Sequence, residues 1–126
     1  MKPRLLDLFC GAGGAAMGSV TERAWAAGFF DGEGCVSPHF DRRPGRTPAL
    51  QLSIEQNDPR PLERFAMAVG YSGHANCRKT IRPPANKPMY RIAMGHAATV
   101  CALEAMWPYL SDPKREQALR AYEQIT

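Results

Sequence analysis

Two carboxylates separated by one residue, Asp31 and Glu33, follow the run Trp25-Ala26-Ala27-Gly28-Phe29-Phe30. Both are hard oxygen donors of the kind that hold divalent cations. Taken alone, such a pair reads better as a plain helix-end carboxylate beside a capping or solvated one. Gln56 closes an alternating segment and Lys114 falls in the first turn of a late helix; neither residue type demands a function at such a place. Between Phe40 and Arg91, ten basic residues (Arg42, Arg43, Arg46, Arg60, Arg64, Arg78, Lys79, Arg82, Lys87 and Arg91) stand against four acidic ones (Asp41, Glu55, Asp58 and Glu63). The middle of the chain is its electropositive part, which is either a phosphate-contacting surface or a solvated face. Cys10, Cys35, Cys77 and Cys101 form no C-x-x-C spacing, and His39, His74 and His96 are equally scattered, which argues against a structural zinc site. Cys35 and Cys101 are expected to be buried free thiols. Cys10 has no base placed beside it and is not read as a nucleophile.

The elements that must position these groups are legible. The chain has 126 residues, enough for one domain with one modest core, and its 44% hydrophobic and 22% charged residues are ordinary for a globular protein. No apolar stretch is long enough to span a bilayer, and Asp7 interrupts the one N-terminal run that starts like a signal peptide. A cytoplasmic location without membrane contact is expected. Arg4 to Cys10 reads as a short strand with Gly11 to Gly14 as the loop after it. Ser19 and Glu22 fit a capping box that opens a helix from about Val20 to Phe30. Ala24, Ala27, Gly28 and Asp31 share one small face of that helix, and Trp25 and Phe29 share a bulky one. Strands are expected over Cys35–Phe40, made irregular by Pro38, and over Leu50–Glu55, where apolar and polar residues alternate. Asp58 and Pro59 open a second helix with an apolar stripe of Leu62, Phe65, Ala66 and Val69. Strands from about Gly73 to Ile81 and Met89 to Met94 flank a Pro-rich turn. A helix from about Ala97 to Trp107 is halted by Pro108, and a last helix opens with Asp112 as N-cap and Pro113 at its first position. Trp25, Phe29, Trp107 and Tyr109 are expected in the core. The order αββαββα(α) predicts an α+β fold: four antiparallel strands in one saddle-shaped sheet, with helices on one face and a polar, basic face open to a nucleic acid.

The segment Trp25 to Gly34, followed by Cys35-Val36-Ser37, resembles the signature of LAGLIDADG homing endonucleases. Leu50-Gln51-Leu52-Ser53-Ile54-Glu55-Gln56-Asn57 is similar to the family's second strand, and Met89-Tyr90-Arg91-Ile92 to its fourth. Pro108-Tyr109-Leu110 and Lys114-Arg115-Glu116-Gln117-Ala118 are similar to its late helix pair. The resemblance covers roughly residues 20 to 125 with one copy of the signature. It implies a homodimeric, metal-dependent enzyme that makes a double-strand cut in DNA, in a bacterial or phage setting. In that family the signature helices of two protomers pack together, here through Ala24, Ala27, Gly28 and Asp31. Each helix ends at an acidic residue, here Glu33, which with the Gly32 carbonyl would hold Mg²⁺ or Mn²⁺. Gln56 and Lys114 match polar residues that flank the site, so Glu33, Gln56 and Lys114 form the implied catalytic set. The implied DNA-reading positions are Ser37, His39, Asp41, Arg43, Gln51, Ser53, Asn76, Arg78 and Arg91. Two departures stand out: Glu33 where many relatives carry Asp, and Pro38 in the first strand.

Residues 1–19 carry a second resemblance. Leu6-Asp7-Leu8-Phe9-Cys10-Gly11-Ala12-Gly13-Gly14 is similar to the first motif of cytosine-5 DNA methyltransferases, which binds S-adenosylmethionine. No Pro-Cys nucleophile and no alternating βα pattern follows, so no cofactor site is expected. The segment reads as a relic of a host methyltransferase gene fused in frame to an endonuclease domain over 20–126, which places the expected target near the codons for Gly14 to Ser19. A DNA- or RNA-binding relative without cleavage, such as a maturase or regulator, is the alternative. A methyltransferase fragment is a weaker one.

Overall fold

The computed structural model describes residues 17–71, 78–82 and 87–126. The expected strand over Arg4–Cys10, the glycine loop after it, Asn76, and most of the Pro-rich turn lie outside the described residues. Helix α1 (Val20–Glu33) leads directly into strand β1 (Gly34–His39), followed by β2 (Ala49–Gln56), α2 (Pro59–Ala68), β3 (Arg78–Arg82), β4 (Lys87–Met94), α3 (His96–Met106) and α4 (Asp112–Ile125). The strands form one antiparallel sheet in the order β1-β2-β4-β3.

Alternation decides the two faces of this sheet. Val36, Leu50, Leu52, Ile54, Ile92 and Met94 are buried and pack with Phe30, Leu62, Phe65, Leu103 and Met106 from the helices. Residues of the other parity, including Cys35, Ser37, His39, Gln51, Ser53 and Arg91, lie half-buried or exposed on the opposite face. β1 is an edge strand, which explains why Pro38 is accommodated: the missing N–H breaks no central ladder.

Several boundaries differ from the sequence reading, each for an identifiable reason. α1 runs three residues past Phe30 to Glu33, and the Gly34 N–H closes the helix on the Phe30 carbonyl. Ser19 caps the Glu22 N–H, but the Glu22 carboxylate leaves the capping box and pairs with Arg64 at 2.9 Å. That pairing lowers the Glu22 pKa, chiefly through the Arg64 hydrogen bond. β4 begins at Lys87 rather than Met89 and takes in Pro88. The α-helix does stop ahead of Pro108, at Met106 rather than Trp107, and Trp107–Tyr109 tighten into a 3-10 turn. The Arg115 guanidinium donates to the Trp107 and Pro108 carbonyls of that turn. The N-cap of α4 is Ser111, not Asp112, because its hydroxyl reaches the Lys114 N–H.

Core membership is also corrected. Trp25, Phe29, Trp107 and Tyr109 are only partly buried and pack against the core from outside, while Phe30 sits fully inside. Trp25 and Phe29 stack with centroids 5.2 Å apart, and Arg64 lies over the Trp25 ring at 4.0 Å. Cys35 is exposed and Cys101 half-buried, so neither is the buried thiol expected. Among the described residues Thr99 is the buried polar exception: its hydroxyl accepts from the Leu52 N–H at 3.0 Å and donates to the Met94 carbonyl at 3.1 Å. The His96 Nδ1 accepts from the Leu50 N–H at 3.1 Å, so α3 side chains carry the hydrogen bonding of β2 beyond the end of β4.

Candidate functional site

Glu33 is the last residue of α1 and is exposed, and Gln56 is the last residue of β2. The fold brings these two ends together across 23 residues of sequence: the Gln56 amide donates to a Glu33 carboxylate oxygen at 3.1 Å. Both line an open cleft of about 320 Å³ with Glu55, Asn57, Asp58 and Met89. Asp58 caps α2 through the Arg60 N–H and is gripped by the Arg60 guanidinium. Those hydrogen bonds hold its carboxyl down to about 2, the Arg60 side chain contributing most.

Lys114 reaches the same corner from α4, but to a different atom. Its ammonium donates to the Gly34 carbonyl at 2.8 Å and lies 5.3 Å from the centre of the Phe30 ring. Gln117, one turn further along α4, accepts from the Val36 N–H at 3.0 Å. Asp31 is engaged by its own chain: its carboxylate accepts from the Ser111 N–H at 3.2 Å and from the Ser111 hydroxyl at 3.0 Å.

The small face of α1 is displaced from where the sequence put it. Ala27 is fully buried in its own core, so it cannot touch a second copy. The exposed stripe is Val20, Ala24, Gly28 and Gly32, spaced by four. A Cβ added at Gly28 or Gly32 would meet nothing within 4 Å. The glycines there are not required by the protomer's own packing.

On the open face of the sheet, Ser37 faces Gln51 across the β1–β2 pair, Cys35 faces Ser53, and Glu55 faces Arg91 across β2–β4. The register sets Arg78 of β3 opposite Arg91. His39 ends β1 and is exposed. Asp41 and Arg43 follow it, paired with each other at 2.7 Å in the loop to β2. The Arg43 side-chain hydrogen bond lowers the Asp41 pKa most, with help from the Arg43 backbone N–H. Asn76 lies outside the described residues. Sequence reasoning left out Glu55, Asn57, Asp58 and Met89 from the cleft and exposed Cys35 from the sheet face; the alternation of β2 and β1 carried the signal for Glu55 and Cys35. Among the described residues no helix is long and apolar enough to cross a membrane.

No protein-family model and no curated protein matches the sequence. Solved structures do match the fold. The homing endonuclease I-CvuI, bound to the I-CreI target with magnesium present and the DNA not cleaved, aligns with a TM-score of 0.57 at 24% identity, covering 78% of this chain and 61% of that one. The same endonuclease with its own target and calcium aligns at 0.54 and 22% identity, covering 84% and 68%. The group I intron-encoded homing endonuclease I-CeuI, complexed with DNA, aligns at 0.57 and 13% identity, covering 95% and 61%. The fold is that of the LAGLIDADG homing endonucleases. This chain spans 61% of the length of I-CvuI in the first complex and the same share of I-CeuI. In this fold the Glu33–Gln56 corner lies where the end of α1 meets the end of β2.

Proposed function

We propose that this chain is a site-specific DNA endonuclease of the homing type, which makes a metal-dependent double-strand cut as a homodimer. The observation that carries this reading is the Glu33–Gln56 pair: an exposed carboxylate at the end of the signature helix, held by an amide from the end of a sheet with an open face.

The donor set fits a hard divalent cation. The exposed Glu33 carboxylate opens on a cleft that Glu55 and Asp58 also line, with Asp58 already held by Arg60. Among the described residues no group of three or more His, Cys, Asp or Glu side chains would hold an ion by itself. Mg²⁺ and Mn²⁺ keep several waters and take further oxygens from substrate phosphates, so they need few protein ligands. Glu33, with the Gly32 carbonyl, would hold the ion. When bound, it would acidify a water and offset phosphate charge. The chain's own residues do the rest. Gln56 fixes one Glu33 oxygen, so the carboxylate is oriented before substrate arrives. Lys114 places a positive charge one peptide away, where it favours charge developing on a phosphate.

The exposed Val20-Ala24-Gly28-Gly32 stripe supports the dimer. Glycine in a helix interior costs about 1 kcal/mol relative to alanine. Two such residues with open space above them are explained by a second helix backbone in close approach. Two stripes packed together would bring two Glu33 carboxylates to the shared axis. The sheet face with Ser37, His39, Gln51, Ser53 and Arg91, extended by Asp41 and Arg43 in the loop after β1, is the surface we assign to double-stranded DNA; Asn76 and Arg78 join it as DNA-reading positions from the sequence resemblance alone. Base-edge contacts there would specify sequence, and the arginines would add salt-sensitive phosphate contacts. Residues 1–19, as a methyltransferase-gene relic, assign the target to the uninterrupted gene near the codons for Gly14 to Ser19.

Purified chain with Mg²⁺ and that uninterrupted gene tests the reading, with Glu33→Gln beside it. We expect a double-strand cut near those codons, lost in the variant while DNA binding is kept. Retarded DNA with no cut would leave a DNA-binding relative without cleavage. A chain that does not bind and does not cut this DNA would sink the proposal.

A further inference from the structure

We propose that Gln117 is a positioning residue for the Glu33 carboxylate, acting through Lys114 and the backbone of β1; this rests on the metal-dependent reading above.

The argument starts from an edge. β1 pairs only with β2, so its outer side carries backbone groups that no strand satisfies. α4 supplies the missing partners with side chains instead. Lys114 and Gln117 are three residues apart, hence on one face of that helix. The Lys114 ammonium takes the Gly34 carbonyl at 2.8 Å, and the Gln117 Oε1 takes the Val36 N–H at 3.0 Å. The same Oε1 lies 3.5 Å from the Lys114 Nζ, so one oxygen ties the strand and the lysine together. Val36 is 2% exposed, so its N–H has no ready water in place of Gln117.

These contacts bracket Glu33. Before it, Asp31 is bound to Ser111 at the start of α4. After it, Gly34 and Val36 are bound to Lys114 and Gln117. Gly34 has no room to drift toward the core, since a Cβ there would stand 2.4 Å from the Phe30 ring. A glutamate has one more rotatable bond than an aspartate, so its carboxylate depends more on a fixed backbone. Gln117 touches neither carboxylate nor cleft; it acts by holding the strand and the lysine that hold Gly34.

The test uses the full chain with Gln117→Leu and Gln117→Glu. The Leu variant removes the acceptor, whereas the Glu variant keeps an oxygen for both the Val36 N–H and the Lys114 ammonium. Three readouts apply: amide hydrogen exchange at Val36, Mn²⁺-induced broadening of Glu33 resonances, and single-turnover cleavage across a Mg²⁺ titration with duplex affinity measured in parallel. For Gln117→Leu we expect faster Val36 exchange, weaker Mn²⁺ broadening and cleavage slowed about 10- to 100-fold, the usual range for residues that orient a metal ligand, with duplex affinity close to wild type. Gln117→Glu restores all three. The proposal is overturned if Gln117→Leu keeps wild-type exchange, or keeps wild-type metal response. It is also overturned if duplex affinity and thermal stability fall in step with cleavage and Gln117→Glu rescues nothing, because that is a merely structural residue. A wild-type chain that neither cuts nor takes up Mn²⁺ overturns the enzymatic reading and this one with it, an outcome plainly separate from a normal wild type beside an unaffected variant.

Discussion

Substituting Gly28 by leucine separates what the protomer needs from what a second copy needs. Gly28 sits in the interior of the 14-residue helix α1, is exposed, and has nothing within 4 Å of where its Cβ would stand. In the isolated protomer, then, the Cβ of Gly28→Leu meets nothing within 4 Å and the helix gains propensity, about 0.8 kcal/mol. With unfolding entropy near ~2.1 cal/mol/K per residue over 126 residues, that raises the midpoint by about 3 °C. In a dimer packed along Val20, Ala24, Gly28 and Gly32, the same leucine enters the seam from both sides. Overpacking costs about 1–3 kcal/mol per inserted side chain, so the symmetric pair costs roughly 2–6 kcal/mol, and dimer affinity falls by about 30-fold to more than ~10⁴-fold. Sedimentation velocity across the micromolar range reads the second effect, and thermal melts at the dilute limit read the first. We expect a monomeric Gly28→Leu protein that melts slightly higher than dilute wild type. A variant that sediments as wild type, or whose dilute midpoint drops, would refute the reasoning: the first means the stripe is not the seam, the second that it is already packed within the protomer.

Other perturbations reach the site and the core. Gly34→Ala would drive a methyl into the Phe30 ring; we expect about 1–3 kcal/mol of lost stability by denaturant titration, together with impaired cleavage, because Gly34 follows Glu33. An unchanged midpoint would show that Phe30 can yield. Thr99→Val leaves the Leu52 N–H and the Met94 carbonyl without their shared hydroxyl, and should cost about 1–3 kcal/mol in a urea melt; a cost near zero would mean that the β2–β4 ladder tightens to compensate. Asp58 titrates near about 2 in the folded chain against a usual 3.8. Its depressed value means that the contribution to stability is full above 3.8 and fades as pH falls toward 2. Carboxyl shifts followed by NMR should place that midpoint, and Arg60→Ala should raise it. A midpoint unmoved by Arg60→Ala would remove the guanidinium as the cause.

Much of the frame was legible because short-range rules govern it. The alternation in Leu50 to Glu55 follows from one face meeting the core and the other meeting solvent. The caps at Ser19 and Asp58 follow from orphan N–H groups that need an oxygen. Glu33 and Gln56 were singled out by the family resemblance, and each lies at the end of its element.

The sequence by itself therefore determined the order of the elements, the parity of β2, and the candidates Glu33, Gln56 and Lys114. Only the tertiary structure decided how α1 is turned. The middle of that helix, Ala24 to Phe30, holds no polar side chain, so periodicity prefers no face there; burying Ala26, Ala27 and Phe30 leaves Ala24, Gly28 and Gly32 outside. It also decided what Lys114 and Gln117 touch. Their partners, Gly34 and Val36, lie 80 and 81 residues away, and no local pattern encodes such a pairing. A helix laid along an edge strand creates it, because only there do unpaired backbone groups face side chains long enough to reach them.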